Sequence, residues 1–258
     1  MEEQGINWRG VLSWFCGETQ LLQPNAKELS RDRDYRPACA IAFLCLLVGL
    51  LLSILLRTCL GKQASWGLFA LSVMPFQVFA LGGCLLALLP IVRRDGFKAC
   101  YDIPSQPESF GAMLKACLRF LLLIYPVILV INAFSVYFCR LLGIPMTKQV
   151  LESLGHDGGL WYWLISGIST AVMAPVAEEV LVRLVLYRTL RSIVPLWAEM
   201  LSSLVFGLMH GHPQYILSLF FVGMCLQRAR AMGGLPQAIL LHSLYNLLAL
   251  LFLFFHLR

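Results

Sequence analysis

Two adjacent glutamates and an arginine stand where an apolar chain tolerates charge least. The run Ala177 to Arg183, AEEVLVR, follows Gly158 to Val176, which carries no formal charge. A charged side chain near the bilayer centre costs about 2.5–3.5 kcal/mol on insertion scales, so Glu178, Glu179 and Arg183 need partners, a water-filled cavity or a chemical role. The setting is a membrane because 59% of the 258 residues are hydrophobic and only 13% are charged, too few for a water-covered surface. The expected fold class is all-α, a polytopic membrane protein built as a bundle of about seven to eight transmembrane helices.

An apolar helix needs about 20 residues to cross a bilayer. Runs of that kind fall at 38–56, 64–92, 120–138, 158–189, 194–210, 213–227 and 235–257, with an eighth span if the run holding Pro75 and Pro90 is broken. The chain thus divides into a polar N-terminal segment, 1–37, and a transmembrane bundle, 38–258. Within 1–37, Trp8, Val11, Leu12, Trp14 and Phe15 lie at roughly helical spacing, which suits either an interfacial helix or a disordered tail. Arg31 to Pro37 reads as a solvated junction. No cleavable signal peptide is evident, because 1–37 has charges throughout and no apolar h-region.

Loop charge sets an orientation. In the seven-span arrangement, alternate loops hold fifteen and five Lys plus Arg residues, which predicts an integral, multi-pass protein with its N-terminus in the cytoplasm. The net charge of +6 is spread between apolar runs as membrane anchors are, so nucleic acid is excluded as a partner and the lipid bilayer is the expected one. Nine cysteines without a C-x-x-C pair read as small buried hydrophobes.

Three polar interruptions fall on three separate apolar helices. Before the first, Pro175 removes a backbone donor and frees the carbonyl of Ala171, loosening the helix one turn ahead of the glutamates. Glu179 and Arg183 are spaced i,i+4 and pair across one turn, whereas Glu178 points about 100° away. The second interruption is Phe206 with His210, and the third is His242 with Asn246, each again at i,i+4. A lone histidine in an apolar helix is more often a satisfied core residue than a catalyst. Two such pairs together with the glutamates imply convergence, because polar groups in hydrocarbon must find one another. If spans four and five turn near Arg191 to Pro195, the helical rise puts Glu178 and His210 at about the same height, near 20 Å above the turn. His212, next to Pro213, falls off the face of His210 and reads as a loop residue.

As a set, Glu178-Glu179-x-x-x-Arg183, Phe206-x-x-x-His210 and His242-x-x-x-Asn246 resemble the three signature motifs of the CAAX prenyl endopeptidases and bacteriocin-processing enzymes. That family contains the Ras-converting enzyme and the bacterial Abi proteins. The resemblance covers roughly 158–250, the expected catalytic core. It implies an intramembrane endopeptidase in which Glu178 and His210 hold and deprotonate the attacking water and His242 and Asn246 stabilise the oxyanion. Glu179, Arg183 and Phe206 would support the site. Peptide hydrolysis does need a base for water and donors aimed at the developing oxygen charge. No cofactor is favoured, although Glu178, His210 and His242 are also a zinc-ligand set with an open fourth position.

The expected partner is a membrane-associated peptide or protein, with a prenylated C-a-a-X tail as one candidate. Two other classes compete: a non-catalytic membrane scaffold or bacteriocin-immunity protein that keeps the polar cluster for structure, and a small proton-coupled transporter. Against the transporter, no inverted repeat with paired broken helices is visible. The sequence sets neither the oligomeric state nor the face from which substrate enters.

Overall fold

In the computed structural model, residues 26–60, 66–104, 109–146, 164 and 167–256 are described, and those with regular structure are helical. Helix α1 (Ala26–Arg33) leads into α2 (Tyr35–Leu60), which packs along α3 (Trp66–Asp95). A short α4 (Phe97–Cys100) precedes α5 (Phe110–Leu141). Helix α6 is composite, with Ser169–Met173 and Val180–Leu186 wound as π-helix and Ala174–Glu179 and Tyr187–Arg191 as α-helix. Helix α7 (Ala198–Met209) and a 3-10 turn (Pro213–Tyr215) follow, and then α8 (Ile216–His256).

Among the described residues, four stretches are long and apolar enough to cross a membrane: Glu28–Leu56, Gln77–Asp95, Phe110–Leu141 and Pro213–Phe252. The last folds back on itself. Gly233 (φ −130, ψ 19) and Gly234 (φ 75, ψ −173) leave helical geometry, so α8 is two helices meeting at a sharp kink, one on each side of the loop expected between 227 and 235. Pro236 then starts the second half, where its missing N–H costs nothing. Helix α3 is a single unbroken helix, as the seven-span count requires. Helix α5 begins ten residues before the apolar run at 120, with the Ser109 hydroxyl accepting from the Ala112 N–H at 3.3 Å to cap it. All eight described cysteines are free thiols, five of them buried. The expected interfacial helix over 8–15 lies outside the described residues.

One expectation is corrected in part. Arg31, Arg33, Arg36 and Pro37 are exposed, as a solvated junction requires, but Asp32 and Tyr35 are each 1% exposed. Their partners explain it. Asp32 is paired with Arg191, the Tyr35 hydroxyl accepts from Arg188 at 2.8 Å, and Thr189 donates to the Tyr35 carbonyl. Asp102 completes the layer by pairing with both Arg188 and Arg230. It does so with φ +50, a left-handed conformation that Asp tolerates better than most residues. Gly234 packs against this same loop, and a Cβ added there would lie 2.1 Å from the Asp102 carbonyl oxygen. The kink and the loop therefore fix one another.

Candidate active site

The π-helical turns put the glutamates where they are. Ser169–Met173 absorbs the backbone gap ahead of Pro175, and the widened winding of Val180–Leu186 carries Arg183 inward. From Val180 to Tyr187 every residue of α6 is buried. Glu179 and Arg183 are fully buried and joined through Arg183 Nε and Glu179 Oε2 at 3.2 Å. Glu178 points elsewhere and retains 23% side-chain exposure.

Glu179 has a second partner that spacing alone does not disclose. Its Oε1 lies 2.9 Å from His242 Nδ1, across 63 positions of chain. A carboxylate paired with arginine accepts only, so Nδ1 carries the proton and donates. His210 is set the same way from another source: its Nδ1 lies 2.8 Å from the Phe206 carbonyl oxygen, which also accepts only. When neutral, both imidazoles would present a bare Nε2. These two atoms face Glu178, with Oε2 at 3.9 Å from His210 Nε2 and 3.8 Å from His242 Nε2. Such separations are too long for direct hydrogen bonds, and Glu178 Oε2 is a buried atom without a hydrogen-bond partner among the described residues.

Phe206 sits between the polar groups. Its ring meets His210 edge-on at 4.9 Å between centroids and His242 at 5.5 Å, while the Arg183 guanidinium lies 4.9 Å above its centre. One apolar side chain, 1% exposed, thus spaces both imidazoles and takes up the face of a buried cation whose two Nη atoms have no other partner.

The structure therefore brings Glu178, His210 and His242 to one point, with Glu179, Arg183 and Phe206 behind them. It places Asn246 differently. Its Nδ2 donates to the Thr170 carbonyl at 2.9 Å, one of the carbonyls in the π-helical turn before Pro175. Nearby, the Ser169 hydroxyl donates to Gln77 Oε1 at 2.9 Å. These two contacts tie α3, α6 and α8 together ahead of the glutamates. The proline signalled that carbonyls would be released here, but nothing in the sequence named their partner.

Residues 160–248 match a known family. The family is Type II CAAX prenyl endopeptidase Rce1-like. The Rce1-like segment contains every residue just described around Glu178, from Thr170 to Asn246. The match ties this part of an integral membrane protein to intramembrane CAAX-type endopeptidases, enzymes that act on membrane-associated substrates. No match was found among curated proteins, and none among solved structures.

Proposed function

We propose that the chain is an intramembrane endopeptidase that hydrolyses a peptide bond of a membrane-associated substrate with water activated by Glu178 and His210. One observation carries this reading: the unpartnered Glu178 Oε2 stands 3.8–3.9 Å from two bare imidazole nitrogens. A water bridging Glu178 Oε2 and His210 Nε2 would give one proton to Glu178 and present a lone pair to the carbonyl carbon. As the tetrahedral intermediate collapses, the C–N bond breaks and the proton taken from water passes from Glu178, directly or through His210, to the leaving amine.

The oxyanion then needs donors. With Nδ1–H committed to Glu179, a neutral His242 has no proton on Nε2, so it donates from Nε2 only as an imidazolium. The Glu179 carboxylate stabilises that charge. Asn246 supplies the second donor, using the amide N–H that does not bond Thr170. Arg183 pairs with Glu179, and Phe206 holds the two rings apart. The N-terminus lies in the cytoplasm on this reading, because the arginine-rich end of the bundle is the end where the described chain begins.

Zinc is the second reading. Among the described residues no group of three or more His, Cys, Asp or Glu is gathered as a metal cage. Yet two bare Nε2 atoms, each oriented by a hydrogen bond through Nδ1, and an unpartnered carboxylate oxygen are the donor set that zinc takes. Glu178, His210 and His242 would hold the ion, which when bound would act as a Lewis acid and lower the pKa of a bound water.

The test uses purified full-length protein in detergent with prenylated and unprenylated peptides, alongside Glu178→Ala and His210→Ala. Cleavage lost in both variants is expected, and cleavage unchanged in both would overturn the mechanism. Full activity after exhaustive chelation, with no zinc by elemental analysis, would eliminate the zinc reading. Prenylated peptides cut in preference to bare ones would identify the C-a-a-X class.

A further inference from the structure

We infer that Arg183 takes the acceptors its buried guanidinium still needs from Glu199, Ser203 and Gln227 through ordered water, and that these three residues hold Arg183, Glu179 and His242 in line. Their role as positioning residues rests on the endopeptidase reading, whereas the network itself does not.

A guanidinium carries five N–H groups in one plane. Arg183 uses Nε for Glu179 at 3.2 Å, while Nη1 and Nη2 are buried with no hydrogen-bond partner among the described residues. The Phe206 ring, 4.9 Å away, covers the flat face of the group. The N–H groups point out along its edge, where the ring offers them no acceptor. They belong to a side chain that is 0% exposed, and an unmade hydrogen bond is costlier on a buried charge than on a neutral group.

Unpartnered acceptors on the neighbouring helices match that need. The π-helical turn Val180–Leu186 packs against both α7 and α8. On α7, Glu199 and Ser203 lie at i,i+4, and Ser203 is one turn before Phe206. On α8, Gly223 and Gln227 share a face at the same spacing. The two faces meet, because a Cβ added to Gly223 would lie 2.9 Å from the Ser203 Cβ. One turn along, Glu199 Oε1 is 3.5 Å from Arg228 Nε, which brings the adjacent Gln227 level with Glu199. Arg183 lies beside this seam, since its charge reaches Glu199 on one helix and Cys225 on the other. Glu199 Oε1, Ser203 Oγ and Gln227 Oε1 are all buried, and none has a hydrogen-bond partner among the described residues.

Unmatched donors and acceptors gathered in one buried layer are what internal water joins, typically through about three hydrogen bonds each. The consequence for the site is mechanical. Glu179 holds His242 Nδ1 with one oxygen and Arg183 with the other. A guanidinium fixed only by Nε and a ring face is free to turn, and Glu179 turns with it. Acceptors on α7 and α8 fix its edge, and through it the direction from which Glu179 meets His242.

The test is the sign of a stability change. Gln227→Met and Ser203→Ala each replace a buried polar group by an apolar one without adding bulk. In the network each should lower the thermal midpoint in detergent by about 2–4 °C, the shift for one lost hydrogen bond in a chain of this size. In a Glu179→Gln, Arg183→Met background, which has no buried cation to serve, the same changes should leave the midpoint where it is or raise it. An unchanged or raised midpoint in the wild-type background would mean that these oxygens bind nothing. An equal fall in both backgrounds would mean that they serve something other than Arg183. Either result overturns the inference.

A spectroscopic signature separates positioning from packing. In protein whose histidines carry nitrogen-15, the Nδ1 proton of His242, identified by its loss in His242→Gln, resonates downfield because Glu179 accepts it. Gln227→Met and Ser203→Ala should move that signal upfield, and an unmoved signal would deny them a positioning role. Both measurements can be made in the Glu178→Gln chain, so they need no turnover. In the active chain the two variants should lower kcat about tenfold with KM unchanged. Absence of cleavage in every chain would sink the endopeptidase reading and leave the network in place.

Discussion

Glu179 binds Arg183 with one carboxylate oxygen and His242 with the other, so one fully buried side chain both neutralises a cation and orients an imidazole. Replacing Glu179 by Gln removes the charge from both contacts at once. Losing one member of a buried ion pair costs about 3–5 kcal/mol, so Glu179→Gln should lower the thermal midpoint in detergent well below that of Glu178→Gln. Equal midpoints in the two variants would contradict this division of labour.

Glu178→Gln should leave folding intact, since Oε2 has no hydrogen-bond partner among the described residues to lose. Its peptidase rate should fall by about 10²–10⁴-fold, the contribution of a positioned general base. Rates and unfolding curves measured on the same preparation check both halves.

The double variant Glu179→Gln with Arg183→Met separates charge from orientation. With no stranded cation, it should recover most of the stability lost in Glu179→Gln. Activity should not return, because His242 still lacks the carboxylate behind Nδ1. Recovery of both would assign Glu179 a purely structural role.

Phe206→Leu keeps an apolar side chain but loses the ring that spaces the two imidazoles. A displacement of about 1 Å in a catalytic group costs up to about 10²-fold. We expect kcat to fall by about 10–100-fold with KM little changed. A rise in KM alone would place Phe206 against the substrate instead.

Gly234→Ala should unfold or misdirect the second half of α8. The residue sits at φ 75, and the new Cβ would meet the Asp102 carbonyl oxygen at 2.1 Å and Pro104 Cδ at 3.0 Å. Asp102→Asn, which keeps the left-handed backbone accessible but drops the charge shared by Arg188 and Arg230, should cost about 1.5–3 kcal/mol. Unfolding midpoints of the two variants measure both effects.

Much of this was legible in the sequence because the signals are local. Apolar run lengths placed the helices, the i,i+4 spacing gave the Glu179–Arg183 pair, and counting rise brought Glu178 level with His210. The missing parts depend on contacts between distant segments. Nothing near Asp32 or Tyr35 announces burial, since Arg191 and Arg188, which hold them, lie more than 150 positions away. Likewise the second bond of Glu179 needs the height of His242, which follows from a kink whose position is set by Asp102. Arg188, Arg191 and Arg230 were the available clue, as arginines beside apolar helices always need acceptors.

The i,i+4 pairing also bears on how the chain is made. Helix α6 leaves the ribosome while His242 is still more than fifty residues from being synthesised, so during that interval Glu179 has no histidine to bind. Arg183, present almost from the moment Glu179 emerges, gives the segment an electrically quiet form in which to enter the bilayer and wait. The helix that carries His242 then docks onto a carboxylate already held in place.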